Sequence, residues 1–187
     1  EPLCLTSALD RTIDNPRWLG SGLEVLFEAR MGVERQLYAV PRVGGDLRRL
    51  TTASAVHGGT TVSASGDTFA TLTSASDVPQ ALTVGGVADG TRRVAVISNA
   101  HISDTRFGDT RVVRWAGADG LGIEGLLVLP PDYVVDEACP MIVEPHGGPH
   151  GGARDVAFRA EWQYFAAEGF AIFSPNFRGS DGYGRAF

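Results

Sequence analysis

A frame of short strand patterns recurs in this chain after 44 residues, and this repeat constrains the fold more than any other feature of the sequence. Val25-Leu26-Phe27 recurs as Phe69-Ala70-Thr71, Leu37-Tyr38-Ala39-Val40 as Ala81-Leu82-Thr83-Val84, and Arg48-Arg49-Leu50 as Arg92-Arg93-Val94. Leu5-Thr6 precedes Leu50-Thr51 at nearly the same spacing. A period in the forties, made of short strands and glycine turns, is typical of four-stranded β-propeller blades.

The repeat therefore predicts propeller blades over residues 1–103: the end of one blade, then two repeats of about 44 residues. A plain β-sandwich with accidental self-similarity is the alternative. Two blades cannot close a ring, and each blade needs neighbours to cover its faces. We therefore expect the remaining blades in the same polypeptide or in a copurifying fragment.

In residues 104–187, strand and helix patterns alternate, whereas in residues 1–103 strand patterns follow one another. The apolar stretches on either side of Ala118-Asp119-Gly120 predict a β-hairpin. Further along, 141–143 and 171–173 read as buried strands, and 158–166 as a helix with Asp155 as its N-cap and Gly169 as its stop. This order predicts an open α/β sheet, whose functional loops follow the carboxyl ends of its strands.

Charge and composition limit the classes of partner that this chain is expected to bind. All sixteen basic residues are arginine, and the net charge is −6, so no basic surface for nucleic acid is visible. No apolar stretch approaches the length of a membrane span. Cys4 and Cys139 have no metal-ligand or redox spacing and are expected to be unpaired. The compartment stays open, with the cytoplasm favoured over the periplasm.

Three motifs do not predict a cofactor. Gly120-x-Gly122-x-x-Gly125 has the spacing of a dinucleotide fingerprint but lies in a hairpin, where no helix can meet a pyrophosphate. His146 and His150, near Glu144, are four residues apart, yet the Gly-Gly-Pro between them cannot form the helix of a metal pair. The loop 179–184 lacks the lysine of a phosphate loop. We expect no metal and no nucleotide.

The segment His146-Gly147-Gly148-Pro149 follows the strand at 141–143 and predicts part of an oxyanion hole. Glycine has no Cβ to block a substrate carbonyl, so Gly147 and Gly148 can present their backbone N–H groups to the oxyanion of a tetrahedral intermediate. Pro149 has no N–H and more plausibly sets the direction of the loop. A flexible turn without function is the alternative.

Together, the blade repeats, "DGLGIEGLLVLPPDY", "PMIVEPHGGPHGG" and "FAAEGFAIFSPNFRGSDGYGRAF" resemble the prolyl oligopeptidase family of serine peptidases, in its acylaminoacyl-peptidase or dipeptidyl-peptidase branch. The resemblance implies a β-propeller followed by the N-terminal part of an α/β-hydrolase domain. It also implies that the N–H of Gly148 is one oxyanion donor. His146 stands where other branches usually carry tyrosine, so the role of its side chain is open.

The family's nucleophilic serine lies in a G-x-S-x-G elbow, and this chain has none. Ser21 and Ser180 lack the small flanking residue that the elbow requires, and His57 and His101 lie in propeller or linker sequence. The nucleophile, acid and base are therefore expected outside these residues, and the chain alone should be inactive.

For a longer parent protein, the resemblance implies hydrolysis of oligopeptides through an acyl-enzyme. Homo-oligomerisation is left open. A non-catalytic propeller-based binding module and an esterase of the α/β-hydrolase class are the alternative functions.

Overall fold

The computed structural model describes residues 2–20, 22–102, 104–148 and 152–187 and contains two β-sheets. The first sheet is built from eight strands: β1 Ile13–Trp18, β2 Glu24–Met31, β3 Glu34–Pro41, β4 Arg48–Arg49, β5 Val56–Val62, β6 Thr68–Ala75, β7 Val78–Gly86 and β8 Arg92–Ile97. They form two antiparallel four-stranded units, β1–β4 and β5–β8. A parallel pairing of Arg35 with Val56 joins the two units.

The sequence repeat is also a repeat of backbone geometry. The pairing of β1 with β2 shifts between Asp14 and Arg17, and that of β5 with β6 shifts 44 residues later, between Gly58 and Thr61. The residue inside each bulge, Asn15 or Gly59, has a positive φ, of 50° and 64°. Because bulges of this kind bend and twist a strand at a fixed point, both units curve at the same place.

The repeat length changes from 44 to 45 within β7. Ala75 pairs with Val78, but Thr73 pairs with Ala81, so β7 carries one extra residue. From that point Leu82, not Ala81, is the counterpart of Leu37, since Leu82 faces Leu72 as Leu37 faces Glu28. The constant 44-residue alignment over 81–84 and 92–94 is therefore wrong by one position.

The two units bury a shared apolar cluster. Leu26, Leu37 and Leu50 of the first unit pack against Phe69 and Val87 of the second. The opposite face of the first unit carries Phe27 and Tyr38, stacked at 5.8 Å between ring centroids, and is covered in part by Leu5 and Leu9. Leu5 thus packs on one face of the unit, whereas Leu50, its counterpart in the repeat, packs on the other face.

The second sheet has the order β11-β12-β10-β9. Its elements are β9 Asp109–Ala116, β10 Gly122–Leu129, β11 Met141–Val143, helix α1 Ala160–Ala167 and β12 Ala171–Asn176. The predicted hairpin is confirmed, because β9 and β10 pair antiparallel along their whole length. β11 and β12 are parallel and are connected through α1.

Helix α1 begins later than the sequence pattern predicts. Its N-cap is Arg159, and Phe158 precedes the helix. The carboxylate of Asp155 is engaged by Arg30 and Arg159, so it does not cap the helix and that prediction is wrong. Trp162 and Ala166 face the core, but Phe165 is 41% exposed and does not belong to the buried face. Gly169 ends the helix as predicted, with φ of 88° and its N–H donated to the carbonyl of Ala166.

The two sheets contact each other through an apolar cluster. Val33 of the β2–β3 turn packs with Leu126, Trp162 and Ile172 of the second sheet. At 25 cal/mol per Å² of buried apolar surface, such a cluster stabilises the contact appreciably. In the described ranges, no helix has the length and apolar character needed to cross a membrane.

Candidate functional site

The two glycine-rich loops lie at one edge of the second sheet. β11 ends at Val143 and β12 at Asn176, and because these strands are parallel, the segments that follow them leave from the same edge. The loops are joined by a hydrogen bond from the N–H of Asp181 to the carbonyl of Gly152, at 2.9 Å. The sequence predicted this common edge but not the contacts between the loops.

The imidazole of His146 is the strongest link between these loops. Its Nε2 lies 2.7 Å from Ser180 Oγ, and its Nδ1 lies 2.9 Å from the carbonyl oxygen of Gly147. Because a carbonyl can only accept, Nδ1 carries a proton, and in the neutral ring Nε2 accepts the hydrogen of the Ser180 hydroxyl. The ring also stacks on Phe177 at 4.4 Å. Both nitrogens are therefore occupied.

His146 and Ser180 are a histidine and a hydroxyl in contact, yet they lack the features of a catalytic pair. Each is only 5% exposed, so the hydroxyl is largely covered by neighbouring residues. Behind the ring stands the carbonyl of Gly147, where a triad would place a carboxylate. The hydrogen bond between His146 and Ser180 therefore holds the two glycine-rich loops together.

The glycines of the first loop have distinct steric environments. A Cβ on Gly147 would meet no atom within 4 Å, so the backbone here is open on that side. Gly148 has φ of 138°, a conformation that side chains rarely adopt. A Cβ on Gly152 would lie 2.6 Å from the Gly147 oxygen and 2.7 Å from His146 Nδ1, so only glycine fits there. Pro149 and His150 lie outside the described residues.

The start of the loop is held by polar contacts beneath it. The carboxylate of Glu144 binds the guanidinium of Arg154 and the indole N–H of Trp162. The side-chain amide of Asn176 accepts from the N–H of Arg154 at 2.7 Å and donates to its carbonyl at 2.9 Å. Glu144 is thus engaged on both oxygens, and across the described residues no group of three or more potential ligands could hold a metal ion.

Tyr183 extends this network toward β10. Its hydroxyl donates to Glu124 Oε1 at 2.8 Å and accepts from Asn176 Nδ2 at 2.8 Å. Burial raises the pKa of Tyr183, and the neighbouring Glu124 carboxylate raises it further. The phenol therefore stays protonated and fixes the second glycine loop at its far end.

The first sheet reaches the same loops through its β2–β3 turn. The N–H of Gly32 donates to the carbonyl of Gly182 at 2.9 Å, and Thr12 Oγ1 donates to Asp181 Oδ1 at 3.0 Å. A groove of about 1020 Å³ lies between the two parts, lined among others by Arg30, Ser180 and Asp181.

The two other histidines considered in the sequence take no part in these contacts. His57 is fully buried in the first sheet, with Nδ1 at 3.1 Å from Thr73 Oγ1. His101 lies in an exposed 3-10 turn at Ala100–Ile102. Cys4 and Cys139 are both free thiols. Sequence reasoning missed Ser180 as a partner of His146, although the position of both residues just after parallel strands was the available signal.

The proteins to which this chain is similar, in sequence and in structure, are of one kind. The acylamino-acid-releasing enzyme of Mus musculus is 26% identical in an alignment of 185 positions that covers 90% of this chain and 24% of that protein. Dipeptidyl-peptidase 5 of Porphyromonas gingivalis is 24% identical, over 94% of this chain and 26% of its own length. The solved structure of Pyrococcus horikoshii acylaminoacyl peptidase superposes with a TM-score of 0.80 at 24% identity, over 96% of this chain and 27% of that one. No family model matches the chain.

The chain spans about a quarter of the length of these curated relatives. The comparisons confirm the resemblance that the sequence motifs indicated, over nine-tenths of the chain. The chain is a homologue of the acylamino-acid-releasing enzymes and of dipeptidyl-peptidase 5.

Proposed function

We propose that this chain is part of a serine peptidase that hydrolyses oligopeptides through an acyl-enzyme, of the acylaminoacyl-peptidase or dipeptidyl-peptidase type. The observation that carries the proposal is the fastened Gly147-Gly148 loop at the edge where β11 and β12 end, in a chain whose relatives are peptidases. A backbone held in this way suits the binding of negative charge that develops during acyl transfer.

The same proposal assigns the two sheets to two domains. Residues 1–103 would be the last blades of a β-propeller, and 104–187 the N-terminal portion of an α/β-hydrolase domain. The repeated four-stranded units support the first assignment. The parallel β11–α1–β12 unit, with its glycine loop, supports the second.

Within this scheme, Gly148 supplies one oxyanion donor through its backbone N–H. Gly147 leaves space beside it, because no atom lies near the position of its missing Cβ. His146 holds the loop by its bonds to Gly147 and Ser180 and does not itself donate to the oxyanion. One such donor is worth about 3–4 kcal/mol of the barrier reduction in acyl transfer.

The nucleophile, the acid and the base would come from the rest of the parent protein. A peptidase needs its serine activated by a base, and the fastened Ser180 is buried. The 187 residues alone are therefore expected to be inactive, and addition of the remaining hydrolase residues is expected to give activity.

A fluorophosphonate that labels activated serines tests the proposal. We expect the label on the full-length protein or on a larger copurifying polypeptide, and no label on the 19.8 kDa chain. Intact masses of every polypeptide in the sample identify the labelled species. Labelling of the 19.8 kDa chain would overturn the assignment of Ser180, and a full-length protein without any label would favour a non-catalytic module.

Substrate panels separate the remaining alternatives. The full-length protein is assayed with N-acylated peptides, peptides with a free amino terminus and short-chain esters. We expect peptide hydrolysis to exceed ester hydrolysis. The ratio of acylated to free peptides distinguishes the two peptidase types, and preferential ester hydrolysis would identify an esterase.

A further inference from the structure

We propose that Arg30, from strand β2 of the first sheet, is a positioning residue for residues 146–148, which we call the oxyanion loop. Arg30 would act on this loop through Asp155 and Asp181. The inference rests on the proposed function only for its catalytic consequence. The mechanical coupling between the two parts of the molecule stands on the contacts themselves.

The guanidinium of Arg30 lies between two carboxylates of the second part of the chain. Nη1 donates to Asp155 Oδ2 at 3.0 Å, and Nε lies 3.9 Å from Asp181 Oδ2. The side chains of Arg30 and Asp155 are each only 11% exposed. Breaking a pair that is this well buried leaves an uncompensated charge, so the arrangement is strongly favoured over alternatives with one partner missing.

The aliphatic part of the Arg30 side chain is packed as closely as its guanidinium. A Cβ on Gly182 would lie 2.7 Å from Arg30 Cγ and 2.9 Å from Cδ, so the side chain rests directly on the backbone of the second glycine loop. The neighbouring N–H of Gly32 donates to the carbonyl of that same glycine. Residues of β2 and of the β2–β3 turn therefore hold the second glycine-rich loop through ion pairs, through packing and through a backbone hydrogen bond.

Both aspartates are connected to the oxyanion loop through Gly152. Asp155 stands three residues after Gly152, the glycine that closes against His146 Nδ1. The N–H of Asp181 donates to the carbonyl of Gly152, and its neighbour Ser180 bonds His146. A single guanidinium thus holds two residues that are connected, at Gly152, to the framework around Gly147 and Gly148.

The fork of an arginine is suited to this position. Its donors are fixed in one plane and can address two carboxylates at once, whereas a lysine ammonium offers a single point of charge. Arg159 also reaches Asp155, at 3.3 Å, but it lies beside the same helix and cannot couple the two sheets. We therefore expect lysine at position 30 to restore only part of the function.

The first test measures hydrogen exchange in the 187-residue chain, where catalysis plays no part. In Arg30→Met, we expect the Asp181 amide to exchange about 10-fold faster and the ¹⁵N signal of His146 Nε2 to shift, while amides of β3 keep their protection. Arg48→Met is the matched control, because Arg48 makes a 3.0 Å ion pair with Glu24 within the first sheet.

Asp181→Asn gives a second variant if Arg30→Met does not fold. The amide keeps an oxygen for Thr12 and for the Gly182 N–H but loses the charge that faces Arg30. The same local change is expected. Unchanged exchange of the Asp181 amide in a folded variant at either position would overturn the coupling.

The second test uses kinetics of the full-length protein. In Arg30→Met, we expect kcat to fall by about 10²-fold with KM changed less than about twofold, because misplacement of the oxyanion donor affects the transition state more than substrate binding. Arg30→Lys is expected to recover part of kcat, and Arg48→Met to resemble the unmodified protein. Equal losses in the Arg30 and Arg48 variants would reduce Arg30 to a general stabilising role. A full-length protein without peptidase activity would refute the proposed function and leave the exchange result intact.

Discussion

At the scale of single residues, the imidazole of His146 shows how one buried side chain can hold a glycine-rich loop in place. Both of its nitrogens are bonded, one to the carbonyl of Gly147 and one to the hydroxyl of Ser180, and its face stacks on Phe177. Three independent contacts fix its orientation. Preorganisation of this kind avoids reorganisation of the donor when negative charge develops.

Removal of this imidazole should therefore impair catalysis more than removal of its hydroxyl partner. In the full-length protein, we expect His146→Ala to lower kcat/KM by about 10²–10³-fold, the range for loss of an oxyanion donor. Ser180→Ala should cost less, because the ring keeps its contacts with Gly147 and Phe177. Steady-state kinetics of both variants decide this, and a larger loss in Ser180→Ala would contradict the assigned order.

His57 is a second buried imidazole, with a thermodynamic consequence. Burial, the largest cause, and the nearby Arg92 together lower the pKa of His57 from 6.5 to about 4, although Glu28 opposes the shift. Protonation is thus disfavoured in the folded state. The unfolded chain binds this proton first as the pH falls below 6.5, so stability is complete above that pH and is lost progressively down to about pH 4.

The expected loss of unfolding free energy from this residue is about 3 kcal/mol between those limits. His57→Gln carries no titrating group and keeps a polar atom for Thr73. Urea unfolding at several pH values should show a shallower acid dependence for His57→Gln than for the unmodified chain. Parallel curves for the two proteins would show that His57 is not the group responsible.

At the scale of elements, the bulges of β1 and β5 carry the curvature of the two units. Asn15 and Gly59 occupy equivalent positions with positive φ. Asn15 meets this conformation with a side chain that donates to Glu28 Oε1 at 2.9 Å and to the carbonyl of Thr60 at 2.7 Å. It therefore ties its own bulge to that of the next unit.

Gly59 allows the backbone requirement to be measured without a packing change. A Cβ there would meet only Leu72 Cδ1, at 3.8 Å, which is ordinary contact. We expect Gly59→Ala to lower the free energy of unfolding by about 1–2 kcal/mol, the cost of a left-handed conformation for a residue with a Cβ. Gly59→Asn should cost less, because asparagine tolerates this region. Equal stabilities of the two variants in urea unfolding would argue against strain at the bulge.

The order of the elements was predictable because it follows from local patterns. The β9–β10 hairpin and the strand at 141–143 were found from apolar runs and turn residues. The predicted burial of 141–143 is wrong, because β11 is an edge strand, in which Met141 and Val143 are more than half exposed. The extra residue in β7 was not, since a bulge changes strand pairing without leaving a signal in composition. Asp155 was misread as an N-cap because its carboxylate is bound by Arg159, four residues later, and by Arg30, which is 125 residues away in the sequence.

The candidate site divides in the same way. The glycine loop was recognisable because glycine and proline restrict the backbone locally. The bond between His146 and Ser180 joins residues 34 positions apart and depends on the paths of two loops. The contact of Arg30 with Asp155 depends on the docking of one sheet on another, which no local pattern encodes.

At the scale of the whole molecule, the repeat indicates which exposed surfaces are interfaces. Val62 of the second unit packs on the apolar cluster that it shares with the first. Trp18, its counterpart 44 residues earlier, has no such cluster to cover and is 61% exposed. Leu72 and Val96, which are exposed, lie on one face of the second unit. The equivalent face of the first unit is the one that packs against the second unit.

If the chain is part of a longer propeller, a preceding blade should cover Trp18. We expect its 5-fluorotryptophan ¹⁹F resonance to show a large H₂O/D₂O shift in the 187-residue chain and a small one in the full-length protein. Trp162, which is 4% exposed, is an internal reference that should show a small shift in both proteins. Trp18→Phe assigns the resonance. An equally large shift of Trp18 in the full-length protein would mean that no blade packs there, and the interpretation of residues 1–103 as the last blades of a closed ring would have to be abandoned.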